Sequence, residues 1–446
     1  MFKNKKCDVL GAGVSNTPLI GYLLDEGAEV TVRDSKTLEN LGDGVKQYEG
    51  RVKFVLGDGY LDGIDGDYIF RSPGIRPDAG SIGEAVGNGS VLTSEMELFF
   101  DLCPAKIVAI TGSDGKTTST TLTSLFLAAE YGENHVYVGG NIGQPLLPRV
   151  KDMTENDFAV VELSSFQLMT MKKAPDIAII TNITPNHLNW HTGMDEYTRA
   201  KENVFLNMKP GQRIVLNSRD KVSREIVGDV PEGVETLFFA GKGTCARKGI
   251  ICREGKEIMP VSDIFIRGRH NVENYEGVIA ALGDMVSADK IAKIAREFKG
   301  VEHRIEYVRT HKGVEYYNSS IDSTPTRTAA CLRSFSKKVI VICCGRDKHL
   351  PLDPLLDALE KKAKAVVVSG EAMDLIGDAV EKARAEGRKM PPCAKIPGFR
   401  TAVEFAALIA KEGDTVVLSP ACTSFDAFKN FEERGKRFKK IIMELE

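Results

Sequence analysis

A chain of 446 residues has room for two to four domains with ample core, at about 150 residues per domain. Its formal net charge of −3, with acidic and basic residues interspersed, excludes a dedicated nucleic-acid or membrane surface. The nine cysteines lack C-x-x-C spacing and no apolar run approaches the ~18 residues of a membrane span, so the expectation is a cytoplasmic protein with reduced thiols and no membrane insertion.

The opening stretch "MFKNKKCDVLGAGVS" reads as a first strand and not a signal peptide, because Asp8 interrupts the apolar run and glycines follow at once. "CDVLGAGVSNTPLIGYLLDEGAEVTVRDS" then gives strand, glycine turn, helix and a second strand ending at Asp34. Gly11 and Gly13 match a dinucleotide fingerprint, but Asn16 stands where the third glycine belongs. That leaves open a nucleotide or sugar-phosphate pocket and a true NAD site. The next apolar strand, "DYIFRSPGIRPD", ends in Ser72-Pro73-Gly74, a turn whose backbone amides can face a ligand.

Pro104 breaks a helical pattern before the strand of "VAITGSDGKTTSTTLTSLF". Val108, Ala109 and Ile110 end a buried strand, and Leu122, Leu125 and Phe126 recur at helical spacing beyond the turn. Strand, glycine turn and helix aim free N–H groups at the turn, where an anion is favoured. Gly112 and Gly115 allow close approach to phosphate, Lys116 can reach terminal phosphates, and Thr117 or Thr118 can offer a hydroxyl to magnesium. The strict G-x-x-x-x-G-K-[ST] pattern is not met, since Ile110 lies five residues before Gly115. Strands recur at "FAVVELSS", "IAIITNIT" and "QRIVLN", predicting a mostly parallel sheet with ligands at its carboxyl ends. Glu162 ends the first of these, where a carboxylate can hold magnesium against phosphates.

"NITPNHLNWHTGMDEYTRAKENVF" places His187 and His191 four apart, but Leu188 breaks the H-E-x-x-H pattern, and Pro185 and Gly193 favour a loop. Each histidine has a structural reading beside a functional one. Lys201 follows on a helical pattern whose apolar face carries Tyr197, Ala200, Val204 and Phe205; considered alone, it reads as an ordinary surface lysine. From "GVEHRIEYV" onward, "VEYYNSS", "KVIVICCGRD", "AKAVVVSG" and "DTVVLSP" alternate with helical stretches as a further doubly wound unit.

"TGSDGKTT", "ELSSFQL", "NITPNHLNWHTGMDEYTRAK", "GRHNVEN", "HRIE" and "LSPACTSFDAFKNFEERGKRF" occur in this order over residues 111 to 438, and together closely resemble the Mur ligases of peptidoglycan synthesis. The last motif with "SSFQL" resembles the branch that adds D-glutamate to UDP-N-acetylmuramoyl-L-alanine through an acyl phosphate. The resemblance implies an α/β protein of three successive domains. These are a Rossmann-like UDP-substrate domain over 1–95, a P-loop-type ATP-binding domain over 96–299 and a Rossmann-like amino-acid-binding domain over 300–446. It further implies ATP, two magnesium ions and a monomeric enzyme.

By resemblance, Gly112, Ser113, Asp114, Gly115, Lys116, Thr117 and Thr118 hold the ATP phosphates, Asn271 contacts adenine and Arg304 contacts the nucleotide. Thr117 and Glu162 match ligands of one magnesium, and His187 with a carbamylated Lys201 those of a second. Lys116, Glu162, His187 and Lys201 are then the catalytic set. Val14, Ser15, Asp34, Ser35 and Ser72 match positions holding the uridine diphosphate, with Asn141 and His187 towards the muramoyl end and Ser164 and Gln167 between substrates. Ser323, Lys348, Ser424 and Phe431 match the D-glutamate pocket. The chain departs from the family in "NSSIDSTPTRT", where Ser319 and Ile321 replace an aspartate and a lysine of many relatives. Either Asp322 substitutes from a shifted register or nucleotide contact is weaker there. Arg346 adds a cation beside Lys348, and Asp114 is an acidic residue close to the polyphosphate. Other Mur ligases and folylpolyglutamate synthases share the ATP motifs. An NAD-dependent oxidoreductase would leave the lysine loop, Glu162 and the histidine segment without a role, and a non-catalytic nucleotide-binding regulator would need neither Lys201 nor His187.

Overall fold

The computed structural model describes every residue except Asn189 and Arg267. The chain divides into two compact units, Met1–Glu297 and Phe298–Glu446.

The first unit begins with β1 (Lys6–Leu10), β2 (Glu29–Asp34), β3 (Lys53–Leu56), β4 (Tyr68–Arg71) and β5 (Val91–Thr93). They form one parallel sheet in the order β3-β2-β1-β4-β5. Alternation along the strands sends Val9 and Phe70 to a core with Leu19, Ile20 and Leu23 of the helix Asn16–Asp25. Leu10 and Ile69 pack on the other face with Ile82. The chain reverses direction across the sheet between β1 and β4, so their carboxyl ends form the crevice where such sheets take ligands.

A helix over Glu95–Leu102, capped by Ser94 Oγ accepting the Glu97 N–H at 3.1 Å, leads into the second sheet. Its strands are β6 (Lys106–Thr111), β7 (Val136–Gly140), β8 (Phe158–Glu162), β9 (Ile177–Ile180), β10 (Arg213–Asn217) and β11 (Glu235–Phe239). All pairs are parallel in the order β11-β10-β9-β6-β8-β7, which sets β6 between β8 and β9. The loop after β6 therefore emerges at this sheet's own reversal point. Ala109, Val161, Ala178 and Leu216 build one face of the core with Tyr197, Val204 and Phe205.

A small antiparallel sheet of β12 (Cys245–Arg247), β13 (Ile250–Arg253) and β14 (Lys256–Pro260) was not anticipated from sequence. Its turns are the dipeptides Lys248-Gly249 and Glu254-Gly255, all four residues with positive φ, as two-residue hairpin turns require.

The second unit holds β15 (Glu306–His311), β16 (Val314–Asn318), β17 (Val339–Cys344), β18 (Ala363–Ser369), β19 (Cys393–Lys395) and β20 (Thr415–Ala421) in the order β15-β16-β20-β17-β18-β19. Only the β15–β16 pair is antiparallel. The expected parallel α/β architecture is thus found, with this hairpin and β12–β14 as the antiparallel additions. Cys343 and Cys344 lie in the buried β17, and all nine cysteines are free thiols.

Candidate active site

Gly112 and Gly115 bracket the turn between β6 and the helix Lys116–Tyr131 with φ of +145° and +81°. A side chain at Gly112 would collide with Thr181 Oγ1, and one at Gly115 with Asn274 Oδ1, so space as well as backbone angle demands glycine at both. The turn is fastened by the segment after β9. Asp114 N–H donates to Asn182 Oδ1 at 3.0 Å, and the Asp114 carbonyl accepts from Thr181 Oγ1 at 2.5 Å and Asn182 Nδ2 at 3.2 Å. Ser113 Oγ donates to the Thr184 carbonyl at 2.9 Å and lies 2.8 Å from the Tyr197 hydroxyl. Asp114 is exposed, while its main-chain N–H and carbonyl are held by Asn182 and Thr181.

Lys116 Nζ curls back to donate to the carbonyls of Gly112 at 2.8 Å and Ser113 at 2.9 Å. Lys201, at the end of the helix Met194–Glu202, is not the surface lysine its local sequence describes: it is 1% exposed. Its helix packs Tyr197, Ala200 and Lys201 inward, and Nζ donates to the same Gly112 carbonyl at 2.8 Å while lying 4.7 Å from the Tyr197 ring centroid. Burial, and secondarily the charge of Lys116, push its ammonium well below the usual lysine range. The result is an amine biased towards the neutral, nucleophilic form beside the phosphate turn.

Glu162 ends β8 opposite Ile110 of β6 and is 1% exposed. Its Oε1 accepts from Asn141 Nδ2 at 2.8 Å, whereas Oε2 has no hydrogen-bond partner among the described residues. An orphaned buried carboxylate oxygen next to a phosphate turn has the hard donor chemistry of a magnesium ligand. Asn141 was placed towards the substrate by sequence; the structure attaches its amide to Glu162. Thr117 and Thr118 lie in the first turn of the helix after Lys116, half-buried.

The two histidines of the β9 loop part ways. His187 is exposed, with φ of +55°, its ring 5.0 Å from that of Phe166. His191 is buried, with Nδ1 3.1 Å from Glu196 Oε2 and Nε2 2.9 Å from Ser165 Oγ. Burial pushes its imidazolium below the usual range, which fits the structural reading. Ser164 and Gln167 form a reciprocal cap: Gln167 N–H donates to Ser164 Oγ at 3.2 Å and Ser164 N–H to Gln167 Oε1 at 2.9 Å. Asn271, in the first turn of the helix Arg269–Leu282, accepts from Asn274 Nδ2 at 3.3 Å, and Asn274 Oδ1 sits 3.4 Å from Ser119 Oγ.

At the crevice of the first sheet, Asp34 at the end of β2 accepts the N–H groups of Ala12 at 2.8 Å and Lys36 at 2.9 Å. Ser72 N–H donates to the Leu10 carbonyl at 2.9 Å, so the turns after β1 and β4 are joined. Asn16 fills the place of the missing glycine by donating to the Gly11 carbonyl at 2.8 Å. Val14 and Ser35 are exposed and Ser15 half-buried beside them. Arg71, invisible to motif reading, donates to the carbonyls of Ile75 at 2.6 Å and Phe166 at 2.8 Å, fastening the 72–75 turn to the "SSFQL" segment.

In the second unit, Ser323 follows β16, Lys348 is exposed after β17, Ser424 is buried after β20 and Phe431 starts the helix Phe431–Glu444. Arg434, also not singled out from sequence, joins these strand ends, donating to Ser320 Oγ at 3.1 Å and to the carbonyls of Cys344 at 3.1 Å and Thr423 at 3.0 Å. Arg304 precedes Ile305, whose N–H donates to Ser319 Oγ at 3.1 Å. Arg346 forms a fork with Glu371 at 2.8 Å. Asp322 is turned inward, accepting from Ser419 Oγ at 2.9 Å. Of the two readings left open at this loop, this burial weighs against substitution by Asp322 from a shifted register.

The family model of the Mur ligase middle domain matches residues 110–282, and that of the Mur ligase glutamate ligase domain matches residues 303–422. A protein of Acetivibrio thermocellus named UDP-N-acetylmuramoylalanine--D-glutamate ligase is 46% identical, covering 100% of this chain and 97% of its own length. Proteins of the same name from Ruminiclostridium cellulolyticum and Clostridium novyi are each 43% identical, covering 99% of this chain and 97% of theirs. Among solved structures, the UDP-N-acetylmuramate-alanine ligase of Thermotoga maritima has a TM-score of 0.56 at 18% identity over 99% of both chains, a likeness of fold. With both family models in order and full-length identity to curated members, the chain belongs to the Mur ligase family.

Proposed function

We infer that the chain joins D-glutamate to UDP-N-acetylmuramoyl-L-alanine, converting ATP to ADP and phosphate, in peptidoglycan precursor synthesis. The observation that carries this reading is the 42–46% identity to D-glutamate ligases along the whole chain, set beside a phosphate turn that keeps Lys116 and Lys201 on one carbonyl. Such a reaction belongs to the cytoplasm, where ATP and the nucleotide precursor are found; no helix among the described residues is long and apolar enough to cross a membrane.

A carboxylate is a poor acyl donor because its oxygen leaves badly. Transfer of the ATP γ-phosphoryl group to the substrate carboxylate gives an acyl phosphate. The D-glutamate amine attacks its carbonyl carbon, and phosphate departs from the tetrahedral intermediate as the amide forms. Negative charge accumulates throughout, so the site must supply positive charge and fixed N–H donors. Main-chain groups of residues 112–118 cradle the phosphates, and Lys116 exchanges its two carbonyl partners for phosphate oxygens. Asn271 reads adenine and Arg304 meets the nucleotide.

The Lys201 ammonium gives up one proton to solvent; the neutral amine then forms a C–N bond to carbon dioxide and loses a second proton, so that a buried cation becomes a carbamate anion. Thr117 with Glu162, and His187 with that carbamate, are the groups suited to hold two magnesium ions, which when bound offset phosphoryl charge. Val14, Ser15, Asp34, Ser35 and Ser72 hold the uridine diphosphate. Asn141, besides steadying Glu162, lies towards the muramoyl end with His187, while Ser164 and Gln167 shape the ground between. Lys348 pairs with a D-glutamate carboxylate, with Ser323, Ser424 and Phe431 around it. Domains over 1–95, 96–299 and 300–446 divide these tasks, and the enzyme works as a monomer.

The test is phosphate release from ATP and magnesium with paired substrates. Turnover requiring both UDP-N-acetylmuramoyl-L-alanine and D-glutamate is expected. Turnover with UDP-N-acetylmuramate and L-alanine, or with L-glutamate or meso-diaminopimelate, would move the chain to another ligase specificity.

A further inference from the structure

Arg76 follows the 72–74 turn and reaches across to the loop and helix that carry His187 and Lys201. Its guanidinium donates to the Trp190 carbonyl at 2.7 Å and to Glu196 Oε1 at 3.0 Å, and forks onto Asp78 at 2.9 and 3.0 Å. The same group lies 5.1 Å from the Trp190 ring centroid, and Trp190 Nε1 donates back to the Gly74 carbonyl at 3.4 Å. Glu196 passes the connection on: Oε2 accepts the Thr192 N–H at 2.9 Å and faces His191 Nδ1 at 3.1 Å. His191 Nε2 meets Ser165 Oγ at 2.9 Å, on the short helix that follows Glu162. One cation thereby joins the turns after β4, β9 and β8.

We propose that Arg76 is a positioning residue, locking the His187 loop and the Lys201 helix onto the turn offered to the uridine nucleotide. The proposal rests on the ligase reading above. Planar forks onto two carboxylates are a geometry that guanidinium satisfies and ammonium does not. Substrate seated at residues 72–74 and the side chains offered to magnesium are then registered by the same clamp, and loosening it misplaces the metal-binding groups without touching D-glutamate.

Trp190 is the only tryptophan of the chain, so its emission reports on this loop directly. In Arg76→Met, kcat should fall by about ten-fold or more and the half-saturating magnesium concentration rise about three-fold or more, while KM for D-glutamate stays within about two-fold. Trp190 emission, titrated with magnesium in the presence of a non-hydrolysable ATP analogue, should show the same midpoint shift without turnover. Arg76→Lys should recover only part of the loss. A folded Arg76→Met protein with wild-type kcat and magnesium midpoint would overturn the proposal, as would a lowered melting temperature with both constants unchanged. Should Arg76→Met fail to fold, Glu196→Gln breaks the same clamp at its other end and carries the same two outcomes. If the wild-type enzyme prefers another substrate pair, the function reading fails while the emission titration still decides the clamp.

Discussion

The ammonium groups of Lys116 and Lys201 both donate to the carbonyl oxygen of Gly112, each at 2.8 Å. Two cations on one oxygen are costly in a buried setting, and the cost is lowest when one of them gives up its proton. Lys201 is the more enclosed of the two, so its amine is the one the proposed carbamylation would use. Lys201→Ala should therefore lower turnover by about a hundred-fold or more, with formate or acetate restoring part of it by replacing the carbamate. Full activity in the unsupplemented variant, measured by phosphate release, would remove Lys201 from the mechanism.

The phosphate turn is held by its neighbour's side chains, not by its own acid. Asn182 bonds both the N–H and the carbonyl of Asp114, while the Asp114 carboxylate is exposed. Asn182→Ala should raise KM for ATP by about ten-fold through a loosened turn, whereas Asp114→Ala should leave it within about three-fold or lower it by removing repulsion. Steady-state ATP titrations of the two variants compare them directly, and the opposite ranking would place the Asp114 carboxylate in contact with the nucleotide side.

Asp322 occupies the loop in which the chain departs from its relatives. Its buried carboxylate accepts from Ser419 Oγ, and burial raises it above the usual aspartate range. Asp322→Asn preserves an acceptor for Ser419 and should leave KM for ATP within about two-fold. A large rise in that constant, with an unchanged melting temperature, would restore Asp322 as a nucleotide contact.

Sequence reading reached the parts whose chemistry is local. Gly112 and Gly115 are dictated by backbone angle and leave a signature, and β1, β6 and β17 announce themselves as apolar runs before turns. The family resemblance named Lys201, but local pattern missed its burial, which is decided by what its helix packs against; its place next to Ala200 on the Tyr197–Val204 stripe was the available signal. The Asn141–Glu162 bond depends on β8 lying between β6 and β7, an order no local pattern records. Arg71, Arg76 and Arg434 act through carbonyls and carboxylates far along the chain, which spacing arguments do not see. The β12–β14 hairpins, not anticipated above, do carry a signal in the repeated residue-Gly dipeptides of "ARKGIICREGKEIMP".

Glu95, at the start of the helix that links the two sheets of the first unit, carries a pH dependence that can be isolated. It is 4% exposed, and Oε1 has no hydrogen-bond partner among the described residues. Burial pushes its carboxyl up from 4.5 to about 7, against an opposing hydrogen bond from the Leu147 backbone. The folded protein thus holds this proton more tightly than the unfolded chain does. Stability from Glu95 is fully present below about pH 4.5, declines as pH rises through about 7, and is absent above it. Glu95→Gln replaces the acid by a permanently neutral group of the same shape, so the variant should match the wild type near pH 5 and be more stable at pH 8, by roughly 3 kcal/mol at most. Denaturant unfolding at the two pH values measures the difference. Equal stability at pH 8 would mean that the ionised carboxylate is solvated after all, and a destabilised variant at both values would mean that the amide cannot be accommodated where Oε1 now lies.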